Sequence, residues 1–474
     1  MISRRRWTSA AALMVAAVPP ALLGAVAAQA EAPPPRESRV TVAPGLVHRS
    51  LRRGDIAQDE RFRVVVGAVE RQRDADRLVA RLEAAGEPPA VSFRPPSYEI
   101  SVAGHEDRHA AEATAVRLRE RGFEAATIAA YGADVLHSGG PWAIEVLEID
   151  PARLRVEVAH AYDAAFGVET TSALARRRGA LAAINGGFYL VDGALAGDAQ
   201  GALVIDGRWL SEPDRNRGSV GLYEEDGRTR VLFGRLALGG TVTLGDKEDI
   251  SLSGINRRRG AADVILYTPE FHRTTLTDPG GTEVVVTGGR VSEVRRDAGS
   301  SKIPGDGFVV SFGPETRSGA AAVAAGQPAR FVTTLTSTLG DPGNAWSKAR
   351  WVASAGPLLL WNGRRIEDPA SESISRVFGL ARHPRTVIAA LADGILLLVT
   401  VDGRAPRHSV GMSLGELTDL LLELGAVSAL NLDGGGSTAM VIGGRLVNTP
   451  SDPAGERANG DALLVFPRHP PGDD

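Results

Sequence analysis

The 474-residue sequence contains no cysteine. That absence excludes disulfide staples, thiolate metal sites, iron–sulfur clusters and a thiol nucleophile. An excess of one charge is also missing, because 53 Lys and Arg stand against 57 Asp and Glu, a net charge of −4. No basic run beyond Arg4–Arg6 and Arg257–Arg259 could form the stripe that a phosphate backbone needs, so nucleic acid is not an expected partner. Only three of the basic residues are lysines, a compositional bias rather than a chemical signal. Beyond the N-terminal segment no run of about 18 apolar residues occurs, so no stable membrane span is expected in the mature chain.

What is present begins with an export pattern. Arg4, Arg5 and Arg6 precede an apolar stretch, Ala10 to Ala28, that is broken at Pro19 and Pro20 and closes on Ala28-Gln29-Ala30. Residues 1–30 therefore read as a signal peptide, and the protein is expected to be secreted or held in the cell envelope. Residues 31–57, opening with Pro33-Pro34-Pro35, read as a stiff Pro-containing linker.

An internal repeat follows. Arg63 to Gly67 leads through Ala75, Leu78, Val79 and Leu82 to Gly86, and Tyr98 to Gly104 leads through Ala111, Ala115 and Leu118 to Gly122. One strand–helix–strand unit thus occurs twice, predicting a four-stranded sheet with two helices on one face over 58–135. On this repeat and its size, the segment resembles a SPOR domain. The resemblance implies binding to peptidoglycan glycan strands that lack stem peptides.

The remaining stretch, 141–468, shows short alternating strands separated by Asp-Gly and Gly-Gly turns, such as Asp393-Gly394. One clear helix starts at Ser413, where Glu416 completes a capping box ahead of Leu417, Leu420, Leu421 and Leu424. The fold class is therefore α+β: a small βαβ-βαβ, ferredoxin-like module followed by a large mixed α+β domain.

Three motifs could carry chemistry. In Asn431-Leu432-Asp433-Gly434-Gly435-Gly436-Ser437-Thr438 a strand runs into three glycines, whose amides could form an anion nest beside a carboxylate; a plain tight turn is the competing reading. In Ala183-Ile184-Asn185-Gly186-Gly187 a strand delivers an amide side chain to a turn, suited to a sugar hydroxyl or phosphate oxygen. In Arg382-His383-Pro384-Arg385 two guanidiniums precede an apolar strand, and Arg385 could grip a phosphate in bidentate fashion.

These motifs occur in order with Gly254-Ile255-Asn256-Arg257, Ser354-Ala355-Gly356-Pro357, Val401-Asp402-Gly403-Arg404 and Arg457-Ala458-Asn459-Gly460-Asp461-Ala462, and together they resemble the phosphodiester glycosidase family. The resemblance implies hydrolysis of the sugar–phosphate bond in a sugar-1-phosphodiester, carried by a sugar-phosphate polymer or glycoconjugate. It places Asp433 as nucleophile or base, Arg385 and the Gly434, Gly435, Gly436 and Ser437 amides on phosphate, and Asn185 and Asn256 on the sugar. Gly186, Thr438, Arg457 and Asn459 complete the expected substrate contacts. No cofactor is implied, and metal dependence stays open because carboxylates such as Asp433 could recruit a divalent ion. Two alternatives remain. One is a non-catalytic cell-wall glycan-binding protein; the other is a serine hydrolase using Ser437, although Gly435-Gly436-Ser437-Thr438-Ala439 breaks the Gly-x-Ser-x-Gly elbow at its last position.

Overall fold

A computed structural model describes residues 36–468 apart from 56–60, 95, 124–125, 132–138, 165, 247 and 367. The expected signal peptide lies outside the described residues. The chain enters the structure as a hairpin, β1 (Glu37–Ala43) and β2 (Leu46–Arg53). β2 pairs along its whole length with β7 (Trp142–Ile149), from Leu46 opposite Ile149 to Arg53 opposite Trp142. The reading of 31–57 as linker is thus corrected for 37–53. The proline run at 33–35 lies outside the described residues. Beyond it, Leu46 and Leu51 bury themselves on opposite faces of a sheet, and Arg49 joins Glu37 at 2.8 Å and Glu148 at 3.0 Å.

Everything between β2 and β7 forms the small module: β3 (Arg61–Val69), α1 (Gln72–Ala84), β4 (Ala90–Arg94), β5 (Ser97–His105), α2 (Arg108–Glu120) and β6 (Thr127–Tyr131). Its antiparallel order is β4-β5-β3-β6, and Ala75, Val79 and Leu82 of α1 share a core with Ala111, Ala115 and Leu118 of α2, as the repeat predicts. Entry and exit touch at glycines. A Cβ on Gly54 (φ +66°) would lie 1.5 Å from the Gly139 carbonyl oxygen, so no larger residue fits that crossing.

The large domain has four layers. An antiparallel sheet of eight strands runs β1-β2-β7, then 396–401, 385–391, 426–431, 358–361 and 364–365. A sheet of five runs 445–446, 440–442, 182–185, 461–467 and β8 (Leu154–His160). The two pack face to face through Leu147, Ile388, Leu398 and Leu430 on one side and Val156, Ile184, Met440 and Leu463 on the other. α3 (Thr171–Arg178) covers the outside of the five-stranded sheet with Leu174 and Ala175. The short α4 (Arg376–Leu380) reaches toward the small module, and α5 (Leu414–Glu423) covers the outside of the eight-stranded sheet with Leu417, Leu420 and Leu421. The Ser413–Glu416 capping box forms as predicted. A β-rich lobe containing the long strand Arg228–Leu244 and a second five-stranded sheet, 254–312, is inserted ahead of residue 351. Among the described residues no helix is long and apolar enough to cross a membrane.

The small module docks on α4. Val377 and Ala381 enter its core, Arg376 pairs with Glu83 at 2.8 Å, and the Val377 N–H donates to the Asp76 carboxylate at 3.0 Å.

Because β2 is a full sheet strand, Leu46→Ala should lower the unfolding free energy by about 2–5 kcal/mol, the cost of deleting a buried leucine side chain. Urea denaturation of the full chain measures this; an unchanged midpoint would return the segment to linker status.

Candidate functional site

Strand ends from both sheets converge here. Strand 182–185 runs into Gly186-Gly187, strand 426–431 runs on to Asp433, and strand 461–467 begins at Asp461. The two glycines pass between the two aspartates. The Gly186 carbonyl accepts the Asp433 N–H at 3.0 Å, and the Gly187 N–H donates to Asp461 Oδ1 at 2.7 Å. A Cβ on Gly186 would lie 1.8 Å from that same oxygen, so only glycine fits beneath the carboxylate.

Both carboxyls are held above their ordinary range. Burial pushes Asp433 up to about 6, against the pull of the Ser437 hydroxyl, the Gly434 N–H and the Arg457 guanidinium; the Asp461 charge adds to the rise. Burial also raises Asp461, opposed by His160 and the Gly187 N–H. Both His160 ring nitrogens face carbonyl oxygens, Nδ1 at 3.2 Å from Ala161 and Nε2 at 2.8 Å from Gly197. A carboxyl titrating near neutrality is suited to proton transfer.

Two guanidiniums overhang the glycine loop. A Cβ on Gly436 would lie 2.2 Å from Arg457 Nη2, and one on Gly435 would lie 2.9 Å from Arg404 Nη2. Asp452 steadies Arg457 through bonds of 2.8 and 2.7 Å. Arg404 itself is a non-glycine residue at φ +62°, a conformation costing about 1–3 kcal/mol that tends to persist at functional sites. Its turn is wedged by buried Asp402, which accepts from the Thr449 N–H at 3.0 Å and contacts His408 at 2.8 Å.

Several expected contacts resolve differently. Arg385 does not face a ligand: it is fully buried, donates to the carbonyls of Met412, Phe378 and Ala381 at 2.8–3.0 Å, and lies 4.6 Å from the Phe378 ring centre. Burial, then the charge of Arg404, lowers its pKa. Its Nη1 has no hydrogen-bond partner among the described residues, but the side chain is shut off from solvent beneath the loop, so the expected phosphate grip is corrected. Asn185 is likewise sealed. Its Nδ2 donates to the Asp433 carbonyl at 2.7 Å, while Oδ1 accepts from Thr386 Oγ1 at 2.8 Å and the Ala439 N–H at 3.0 Å. It positions Asp433 and has no polar atom left for sugar. Asn256 spends its amide inside the inserted lobe, donating to the Trp209 carbonyl and the Thr268 hydroxyl and accepting the Thr268 N–H, and no hydrogen bond among the described residues ties it to Asp433.

Most amides of the expected anion nest are already engaged within the protein. The Gly434 N–H donates to Asp433 Oδ1, Gly435 to the Pro384 carbonyl, and Ser437 and Thr438 to carbonyls within the loop. Asn459 ties down the loop, donating to the Ser437 carbonyl at 3.2 Å while its Oδ1 receives the Tyr189 hydroxyl at 3.3 Å. The Ser437 and Thr438 side chains are buried. No histidine is hydrogen-bonded to Ser437 among the described residues, and it sits in a 3-10 turn, so a serine nucleophile lacks both its base and its elbow. Also among the described residues, no group of three or more His, Asp or Glu is placed to hold a metal.

The residues that sequence reasoning passed over are Asp461, Arg404, Tyr189 and His160. Asp461 and Arg404 stood inside stretches that carried the family resemblance, each next to a glycine, but nothing local showed that both reach Asp433's loop.

Comparison with known proteins finds two domain families along the chain. Residues 280–466 match the phosphodiester glycosidase family model, and residues 58–129 match that of the SPOR domain. Residues 280–466 are therefore similar to a phosphodiester glycosidase domain, and residues 58–129, which lie between β2 and β7, to a SPOR domain. Bovine N-acetylglucosamine-1-phosphodiester alpha-N-acetylglucosaminidase is 41% identical over 68 residues, covering 14% of this chain and 12% of that enzyme. The SPbeta prophage-derived protein YomE of Bacillus subtilis is 40% identical over 84 residues, covering 18% of this chain and 13% of that protein. The chain thus spans about an eighth of the length of either curated relative. The likeness to the crystal structure of a Burkholderia pseudomallei protein described as exported is far broader: 27% identity, 91% of this chain, 96% of that one and a TM-score of 0.66.

The raised Asp433 has a stability signature. Its folded pKa of about 6 exceeds the ordinary 3.8, so the folded state holds the proton more tightly. The associated stability is present at low pH and is lost as pH rises through about 6. Asp433→Asn removes that loss, so the variant should melt above wild type at pH 8 with the gap closing toward pH 4. A pH-independent difference in melting temperature would show that Asp433 is not raised.

Proposed function

We propose that the large domain hydrolyses the bond between the anomeric carbon and the phosphate oxygen of sugar-1-phosphodiesters. The observation that carries this reading is the placement of Arg404 and Arg457 over Gly435 and Gly436, in the loop that begins at the raised carboxyl of Asp433. A phosphodiester offers a good leaving group, so the site needs charge stabilisation on phosphate and a carboxylate at the anomeric centre more than a strong acid. Ionised Asp433 takes a proton from water as the water oxygen bonds to the anomeric carbon. The carbon–oxygen bond breaks with its electron pair going to the phosphate, and Arg404 and Arg457 stabilise the phosphomonoester that leaves. Asp461 sits on the opposite side of Gly186-Gly187, where its charge favours the positive character of the sugar in the transition state.

We further propose that this is an envelope or secreted enzyme acting on cell-wall or exopolysaccharide-type diesters and brought to peptidoglycan by its SPOR domain, within the expected 58–135 module. The domain match and the neighbour described as exported support that setting.

Release of free sugar from a panel of sugar-1-phosphodiesters, teichoic-acid-like polymers included, tests the reaction. Asp433→Asn should lower kcat by about 10²–10⁴, the usual range for a general base; near wild-type turnover by the folded variant would remove Asp433 from the chemistry. Arg404→Ala and Arg457→Ala should each cut kcat/KM by about tenfold or more, as loss of a charge-assisted contact implies. The full-length protein should also co-sediment with amidase-treated sacculi, and its absence from that pellet would defeat the targeting.

A further inference from the structure

A cleft of about 570 Å³ lies between the small module and the large domain. This is within the usual range of small-molecule sites, about 300–1,000 Å³. The module contributes Pro89, Val91 and Phe93 from its edge strand β4 and the residue preceding it; the large domain contributes Leu380, Arg404 and Pro406. Arg404 is the shared wall, since its guanidinium also overhangs Gly435 of the site loop. It lies 5.7 Å from the centre of the Phe93 ring.

Beyond Arg404 the cleft carries little net charge. Arg382 is paired with Glu416 through bonds of 3.1 Å and lies over Trp142. His383, in ring contact with Phe93 at 5.5 Å, is driven down to about 2 by burial and its arginine neighbours and is therefore neutral. A largely apolar, charge-balanced cleft with Phe93 as its aromatic wall, opening from the arginine assigned above to phosphate, suits an uncharged carbohydrate chain, whose C–H face packs on the ring while its hydroxyls meet the rim.

We infer that this cleft binds the saccharide on the leaving-group side of the phosphate, so that the N-terminal module forms part of the substrate site. The inference rests on the phosphodiester reading of Asp433's loop and adds the class of aglycone: an oligosaccharide joined through its phosphate. Phe93 then acts as a specificity-determining residue supplied by a different domain from the one that cleaves the bond.

Binding tests this without requiring turnover. Calorimetry on the full-length protein compares chitotetraose 6-phosphate, inorganic phosphate and unphosphorylated chitotetraose. The phosphorylated chain should bind at least about tenfold more tightly than either part alone, about 1.4 kcal/mol. Phe93→Ala, which removes the ring, and Ser92→Trp, which fills the cleft, should erase that gain while leaving the affinity for inorganic phosphate unchanged; Arg457→Ala should weaken both phosphate ligands. Wild-type affinity for the phosphorylated chain in both cleft variants, or no gain over phosphate in the wild type, overturns the inference. Failure to hydrolyse any diester while this binding pattern holds would instead sink the hydrolase reading and leave the cleft standing.

Discussion

The site depends on one steric condition: a backbone without side chains must pass between the Asp461 carboxyl and the backbone of Asp433. Gly186 and Gly187 meet that condition, and the hydrogen bonds on either side of them tie Asp433 of one sheet to Asp461 of the other. Burying two acids in one site is unfavourable, because each carboxylate loses solvent, and the Asp461 charge adds to the rise at Asp433. The cost is spread over the surroundings. Asn185 fixes the Asp433 carbonyl, Gly187 donates to Asp461, and Arg457 supplies positive charge near Asp433. The four-layer packing of sheets and helices holds these strand ends in register, so the placement of the two aspartates follows from the cores on either side.

Electrostatic roles are divided by depth. Arg385 is sealed under the loop by three carbonyls and an aromatic ring, whereas Arg404 and Arg457 stay at its surface, within reach of a ligand. The neutral His383 lies between the buried and exposed cations and between Phe378 and Phe93, with ring centres 6.0 and 5.5 Å away. A line of rings therefore runs from the cation beneath the loop to the module's edge strand. It mechanically joins the small module to the floor of the site.

Periodicity and turn chemistry were readable where they report burial. The duplicated strand–helix–strand unit, the Ser413 capping box and the Asp393-Gly394 hairpin all follow from local spacing, and the structure contains each of them. Roles of individual polar residues were less legible, since they depend on which layer covers a strand. Arg385 shares a strand face with Val387 and Ala389, which pack beneath α5; that alternation already argued for burial rather than display. Asn185 looked like a ligand because an amide before two glycines can bind sugar, but strands at both sides consumed its hydrogen bonds. The hairpin at 37–53 was obscured by the proline run beside it and by a pairing partner almost a hundred residues away. Arg404 and Asp461 could be located by motif, yet only tertiary closure brings them to a common loop.

The path of the chain at Gly54 and Gly139 has an architectural consequence. Arg53 and Trp142 are direct partners across antiparallel strands, so β2 and β7 are topologically an ordinary hairpin whose turn has been expanded into an entire folded module. A tight turn of two residues could close the same strands. The small module is thus grafted at a point where the register of the flanking strands does not depend on it, since β2 and β7 meet residue by residue whatever the length of chain between them.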